Sequence, residues 1–387
     1  MGIIHAPAIC CGTGLTGLGQ ARLYLFLSLG SALADWRTMG TLERETAIYR
    51  ALLRHLAGVS LVSYGRHDRA LAPELGGLTV LDNRLGLPGR LYRLLLSTGL
   101  TIRQKGPAVV KTNQMQGADL ALRAARRAGH AFVARCGYLP SNIAIWREGE
   151  DSTEAQRWFR LEARVLNAAD CAVVTTPAMA ATLAFRYGLD PARIRVIPNY
   201  VDTDLFTPGG PEPKRGDVVL YVGRLHVEKN LEPLLLAMEG LNAELWLVGE
   251  GPLRPALEAL ARERGLAVRF LGRVDNQQLP ALMRRATVCA LPSKGEHHPK
   301  ALIEAMACGA AVLGSDAPGI REIIAPEVSG LLCGLEAGDI HQALRRLLGD
   351  EALRARLGAA ARQQMVADYS FARVLDLELC MLSEIIG

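Results

Sequence analysis

A chain of 387 residues, half of them hydrophobic and 21% charged, has the apolar content of two globular domains, which excludes a disordered or collagen-like chain. The net charge of +5 hides a split: residues 1–195 hold 24 Lys and Arg against 14 Asp and Glu, and residues 196–387 hold 20 against 25. A basic first half suits an anionic membrane or a phosphorylated molecule, or it is a dispersed solvated face. None of the eight cysteines forms a C-x-x-C pair or a zinc-spaced cluster, so no metal site is expected and a reducing cytoplasm is the natural compartment.

Residues 1–20 are glycine-rich and carry no charged side chain. Gly12-x-Gly14-x-x-Gly17 matches a dinucleotide fingerprint, with Asp35 downstream, and would make the chain an NAD-dependent oxidoreductase. Glycines inside the first helical turns, at about 1 kcal/mol each, argue against that helix. Leu23–Leu29 reads as a strand; Arg22, this run and Ala32-Leu33-Ala34 also mimic a secretory leader. No stretch reaches the roughly 20 apolar residues needed to span a bilayer. Thr41 is placed to N-cap a helix running to about Leu56. Strands are expected at Val59–Tyr64, Val109–Lys111, Ala131–Arg135 and Cys171–Thr175, with helices between them. Leu91–Lys105 mixes leucines with Arg90, Arg93, Arg103 and Lys105; it reads as a core helix with a basic flank or as a segment lying on an anionic membrane. Ile197–Gly216, rich in Pro, Gly and Asp, reads as a linker. The alternation then restarts, with strands near 217–222, 244–248, 268–271, 287–291, 311–314 and 330–333. Phe371–Ile386 is an apolar-faced helix. The fold class is α/β: two Rossmann-like, doubly wound domains facing a central cleft, with ligands at the carboxyl ends of the strands.

The segment Leu291–Gly309 carries the most chemistry. Glu296 sits in a strand-to-helix loop, and Glu304 lies about one turn into a helix that opens at Pro299 and closes at Gly309. Two carboxylates flanking a helix start suit a ligand with hydroxyls on two rings and phosphates between them. His297 and His298 lie in the same loop, and Lys300 is four residues before Glu304. Upstream, Gly223 is expected to let the chain turn tightly, so that Arg224 and Lys229 point at the strand ends. There Arg by its fork and Lys as a point charge could hold a diphosphate, or both are solvated surface charges. Val248-Gly-Glu-Gly-Pro252 is a strand–helix turn of little diagnostic value. Arg135 and Tyr138 follow a strand of the first half, where they touch substrate or only turn the chain.

The ordered segments IPNYVDTDLFTP, VLYVGRLHVEKN, LWLVGEGPLR, FLGRV and EHHPKALIEAMACGAAVLGSDAPGIREII resemble the successive signatures of the retaining GT-B glycosyltransferases of the large group 1 family. The likeness covers about residues 165–370 and is looser through GTLERETAIYRALL and KTNQMQGA. It implies an N-terminal acceptor domain (1–195, plus a returning helix 371–387) and a nucleotide-sugar domain (196–370). It implies that Arg224 and Lys229 bind pyrophosphate. Glu296 and Glu304 match the E-x7-E motif, the first meeting the transferred sugar and the second the ribose. His298, Pro299 and Lys300 line the donor, and Arg273 and Val274 brush the base. The implied reaction is metal-independent transfer of a hexosyl unit from a nucleotide sugar, with UDP favoured by the breadth of its use in the family. The acceptor would be lipid-linked, a saccharide or a small molecule. No cofactor and no nucleic-acid partner are implied, and the place of work is cytoplasmic or peripheral on the inner membrane face. The chain departs from the family in its Ser28–Gly40 loop, whose only glycines are Gly30 and Gly40, and in presenting Arg135 where members often have a His linked to the reacting sugar. A sugar-nucleotide epimerase or a non-catalytic sugar-binding protein of the same fold is the alternative.

Overall fold

The computed structural model describes residues 17–209 and 216–387. Gly12, Gly14 and the Cys10–Cys11 pair lie outside the described residues. Gly17 opens a three-residue 3-10 turn, Leu18–Gln20, that leads into a strand; the dinucleotide fingerprint needs a full helix there. The chain divides into two compact units: the residues up to Pro198 together with Leu375–Gly387, and Asn199–Val374.

The first unit is built on seven strands, β1 (Arg22–Phe26), β2 (Gly58–Val62), β3 (Thr79–Leu81), β4 (Ala108–Thr112), β5 (Ala131–Cys136), β6 (Cys171–Val174) and β7 (Ile194–Val196). All pair in parallel in the order β3-β2-β1-β4-β5-β6-β7. Strands β4 and β6 are buried along their length, and all but Lys111 and Thr112 of their residues are apolar, as a parallel sheet covered on both faces requires. Helices α1 (Leu33–Thr38) and α2 (Leu42–Leu53) connect β1 to β2, and α3 (Gly89–Ser97) carries the chain from edge strand β3 back to β4 beside β1. That reversal is the switch point of a doubly wound sheet. Thr41 stands at the N-cap position of α2, but its hydroxyl donates to the Trp36 carbonyl instead of capping, and the helix stops at Leu53 rather than Leu56. Helices α4 (Ala118–Ala128), α5 (Pro140–Glu148), α6 (Thr153–Ala168) and α7 (Pro177–Tyr187) follow. Ser152 and Thr176 cap α6 and α7 by accepting from Ala155 and Met179 amides, both at 3.2 Å.

The second unit repeats the plan with β8 (Val218–Val222), β9 (Glu244–Val248), β10 (Val268–Gly272), β11 (Val288–Leu291), β12 (Val312–Ser315) and β13 (Leu331–Cys333). These form a parallel sheet ordered β10-β9-β8-β11-β12-β13. Its helices are α8 (Leu231–Leu236), α9 (Arg254–Glu263), α10 (Leu279–Arg285), α11 (Lys300–Ala307), α12 (Ala337–Gly349) and α13 (Glu351–Asp368). The first part of the expected linker at 197–216 is packed. Asp202 accepts from the Asp204 and Leu205 amides, Phe206 is buried, and the Arg362 guanidinium on α13 donates to the Thr203 and Phe206 carbonyls. The Val201 amide donates to Tyr369, and Phe371 donates back to Val201. Residues 199–206 are therefore packed structure of the second unit.

The last helix, α14 (Phe371–Ile386), belongs to the first unit from Leu375 onward. There Glu378 accepts from the ammonium of Lys111 on β4 with both carboxylate oxygens, and both side chains are buried. Burial pulls the Lys111 ammonium below the ordinary lysine range, and the facing Glu378 carboxylate opposes that shift. Arg195 on β7 makes a second, more exposed ion pair with Glu384.

Candidate functional site

Strand β8 ends in a loop whose geometry is dictated by a buried tyrosine. The Tyr221 hydroxyl donates to the Arg224 carbonyl at 2.9 Å. A Cβ on Gly223 would lie 2.5 Å from that hydroxyl, and the φ of Gly223 is not in the left-handed region. Gly223 is thus needed for the room it leaves to Tyr221, and the bend there uses no left-handed backbone. Burial and the nearby Glu296 carboxylate both push the Tyr221 phenol up, so it stays a neutral donor.

Lys229 closes a short 3-10 turn, Val227–Lys229, after β8. Its ammonium donates to Glu296 at 2.5 Å, and both side chains are only 13% exposed. The same Glu296 oxygen accepts from the Ser293 hydroxyl at 2.7 Å, and the Glu296 amide donates to the Pro318 carbonyl at 2.9 Å. Gly319 completes this support, because a Cβ there would lie 2.1 Å from the Glu296 carbonyl oxygen. Arg224 behaves differently. Its side chain is 78% exposed and donates to Glu228 at 3.3 Å, while Glu228 also holds His226. The Lys294 amide donates to the Glu228 carbonyl, which ties the β8 loop to the β11 loop. The structure therefore joins Lys229 directly to Glu296 and leaves the Arg224 guanidinium in solvent on the same loop.

Pro299 takes the N-cap position of α11, with Lys300 as the first helical residue. Gly309 follows the helix at φ +70°, in the left-handed region expected of a closing glycine. Glu304 is buried and accepts from the Asn276 side-chain amide at 3.2 Å. Arg273 of the preceding loop is exposed, and Val274 packs against the core of this unit. Asn276, three residues beyond Arg273, is the side chain of this loop that reaches Glu304. His298 is buried with its ring tilted against Tyr369 at 5.5 Å, and its carbonyl accepts from Asn199. Burial is the main force holding His297 below the ordinary histidine range; Glu296 opposes it and Lys229 adds to it. An unfolded histidine takes up its proton near pH 6.5, before the folded one does. His297 therefore costs no stability above that pH, and stability is lost as pH falls from about 6.5 through the folded value. Ring-proton NMR titration should show a His297 midpoint below 6.5; a midpoint at or above it contradicts this.

The β9 turn is more informative than its composition suggests. Gly249, at φ +131°, would place a Cβ 1.9 Å from the Gly223 carbonyl oxygen, and Gly251 would place one 2.2 Å from the Leu225 carbonyl oxygen. Leu225 donates to the Glu250 carbonyl and accepts from the Leu253 amide. The two loops are interlocked backbone to backbone. Gly249→Ala should cost about 3 kcal/mol or more, since strain and overpacking coincide there. Thermal melting checks this, and a melting temperature equal to wild type would contradict it.

In the first unit, the loops after β1, β4 and β5 meet at the carboxyl end of the sheet. The Leu29 amide donates to the Gln116 carbonyl, and Gly117 packs on Leu29. The Gly137 amide donates to the Gln114 side chain at 2.9 Å, and the Gln116 amide nitrogen donates to the Tyr138 hydroxyl. Arg135 donates to the Asn113 carbonyl at 3.3 Å. Arg135 and Tyr138 thus belong to one loop cluster, with Gln114 and Gln116 as members that strand reading misses.

The family model described as "Glycosyl transferases group 1" matches residues 203–364, and that of "Glycosyltransferase Family 4" matches residues 47–205. Residues 203–364 belong to the group 1 glycosyltransferases. A D-inositol 3-phosphate glycosyltransferase of Xylanimonas cellulosilytica is 34% identical over 224 residues, which cover 52% of this chain and 54% of the relative. The chain spans about half the length of the curated relatives it matches. Among solved structures, sucrose-phosphate synthase from Thermosynechococcus elongatus superposes with a TM-score of 0.79 at 23% identity, covering 94% of this chain and 98% of that one. Anabaena Alr3699/HepE, solved in complex with UDP, gives 0.74 at 19%, covering 94% and 100%. These likenesses place the chain in the GT-B fold class.

Proposed function

We propose that this chain moves a hexosyl group from a nucleoside diphosphate sugar to an acceptor hydroxyl with retention of anomeric configuration. The observation that carries the reading is the Lys229–Glu296 contact, with Arg224 on the same loop and buried Glu304 on the helix that follows. In this reading the bond from the anomeric carbon to the diphosphate oxygen breaks, and the acceptor oxygen bonds to the same face of that carbon. The acceptor proton passes to the departing phosphate. Charge grows on the diphosphate, where Arg224 and Lys229 stabilise it without a metal ion. Glu296 meets the sugar, and Glu304, oriented by Asn276, accepts from the ribose diol. Gly223, His298, Pro299 and Lys300 shape the donor pocket, with Arg273 and Val274 beside the base. UDP is the favoured nucleotide, in keeping with the UDP and UDP-glucose complexes of Alr3699/HepE.

The acceptor is anionic or lipid-linked, in keeping with the basic first half and with a relative named for an inositol phosphate. Arg135 and Tyr138 are its contacts. No helix among the described residues is long and apolar enough to cross a membrane; the proposed place of work is the cytoplasmic face, with peripheral contact to anionic lipid. Screening UDP-, GDP- and ADP-sugars for thermal shift and nucleotide release, with EDTA as a control, tests the reading. Nucleotide release separates transfer from epimerisation, and an absence of both responses with every donor overturns it. Glu304→Ala should weaken UDP binding about tenfold or more by calorimetry, because a buried diol loses its acceptor. Asn276→Ala should weaken it less; unchanged affinity in Glu304→Ala contradicts the ribose assignment.

A further inference from the structure

Helix α3 is amphipathic in an unusual sense. Its inner side is anchored: Tyr92 and Leu96 are buried, the Tyr92 hydroxyl donates to the Ser63 carbonyl, and Arg127 on α4 donates to the Ser97 carbonyl. Its outer side is not polar. Leu91 and Leu94, one turn apart, are 52% and 62% exposed, and Leu85 before the helix and Leu100 after it are 68% and 60% exposed. Leu91 and Leu94 share one face of the helix, and exposed large apolar side chains set together in this way mark an interaction site.

Along the chain, the charges that flank these leucines have one sign. From Asn83 to Ala118 there is no Asp or Glu. Arg84, Arg90, Arg93, Arg103 and Lys105 are all exposed, and among the described residues none of the five makes a salt bridge. Elsewhere in the chain exposed arginines are commonly paired, as Arg123 is with Asp119, Arg264 with Glu239 and Arg346 with Glu327. A second copy of this chain would bring the same unneutralised cations against each other. A nucleic acid or acidic protein would answer the cations and leave the leucines without a use. The interface of an anionic bilayer answers both, because it offers phosphates at the depth of the guanidinium groups and hydrocarbon just beneath.

We propose that the outer face of α3, with Leu85 and the turn at Leu100, is a docking surface for an anionic lipid bilayer, the helix lying in the interface plane. The inference sharpens the peripheral contact named above and stands whether or not the transfer reaction is as proposed. It also gives the basic first half a localised role: the charge that matters is one acid-free stretch.

The full chain tests it in a vesicle co-sedimentation assay, with phosphatidylcholine alone or with phosphatidylglycerol added. Wild type is expected to bind the anionic vesicles at least about tenfold more tightly than the neutral ones, and to release as salt is raised. Arg90→Gln with Arg93→Gln should lower anionic binding by about tenfold and flatten the salt dependence. Leu91→Ser with Leu94→Ser should lower it by a similar factor and leave the salt dependence in place, since hydrocarbon burial supplies the other half of the affinity. Circular dichroism and UDP thermal shift, read on every variant, establish that the fold is kept. Failure of wild type to prefer anionic vesicles overturns the proposal, as does wild-type binding by the leucine variant. A wild-type dimer in sedimentation velocity that the leucine variant abolishes also overturns it, since the face is then an interface between copies. These outcomes do not depend on nucleotide release, so loss of the transferase reading would leave them unchanged.

Discussion

Lys229→Ala is expected to lower kcat by roughly 10²–10³, the scale for removing one preorganised donor from a developing oxyanion. Lys229 is the cation to choose because the structure has already limited its freedom. Its side chain is 13% exposed and its ammonium sits on Glu296 at 2.5 Å, so it reaches the reaction with little reorganisation. Arg224, at 78% exposure, must be gathered from solvent, and Arg224→Ala should cost less in kcat than in donor affinity. Lys229→Ala also takes from the Glu296 carboxylate one of the two side chains that hold it, leaving the Ser293 hydroxyl, and UDP affinity should fall with turnover because in the proposed reaction the ammonium meets the diphosphate in both states. Steady-state kinetics with a UDP-sugar and calorimetry with UDP separate these effects. Turnover within threefold of wild type, with the fold intact by circular dichroism, would remove Lys229 from the mechanism.

The second large effect concerns stability. Glu378→Ala should destabilise the first unit by about 3–5 kcal/mol, because it strands the Lys111 ammonium in a fully buried site. The double variant Lys111→Met with Glu378→Leu should recover most of that loss, since apolar packing of similar volume often replaces a buried ion pair at no net cost. Urea denaturation followed by tryptophan fluorescence reads the first unit through Trp36, Trp146 and Trp158. The chain has two units, so the transition must be resolved from that of the second, to which Trp246 reports. A Glu378→Ala midpoint equal to wild type would mean that the ion pair does not hold α14 in place. A double variant no better than the single one would mean that its geometry has no apolar substitute.

Most of the strands were legible because parallel sheets buried on both faces leave continuous apolar runs. The runs in β4, β6, β8 and β11 stand out for that reason. Two strands escaped. β3 and β7 are three residues each, and β7 carries Arg195 at its centre; edge strands this short show no period. The C-terminal end of α2, the partner of the Thr41 hydroxyl and the packing of residues 199–206 escaped as well, because a hydroxyl that prefers Trp36 and a guanidinium on a helix some 160 residues later are not local signals.

The site divides along the same line. Lys229, Glu296 and Glu304 were legible as residue types at fixed spacing beside a strand end. Their supporting groups were not. Asn276 reaches Glu304 across 28 positions, and Gly319 touches Glu296 only because two loops meet in space. Gly249 and Gly251 looked like ordinary turn residues, and the reason for them lies in another loop. The steric constraint on Gly223 was hidden for the same cause: it comes from the Tyr221 hydroxyl, not from a left-handed backbone angle.

The partner of Lys111 lies 267 positions further along the chain, and the whole second unit is made in between. At a synthesis rate of about 5–20 residues per second, that interval lasts on the order of tens of seconds. Throughout it, the nascent seven-stranded half has its lysine and no counter-ion. On the ribosome the later half can close first, so that the earlier one matures last, and exposure to chaperones and proteases during that delay falls on the N-terminal moiety.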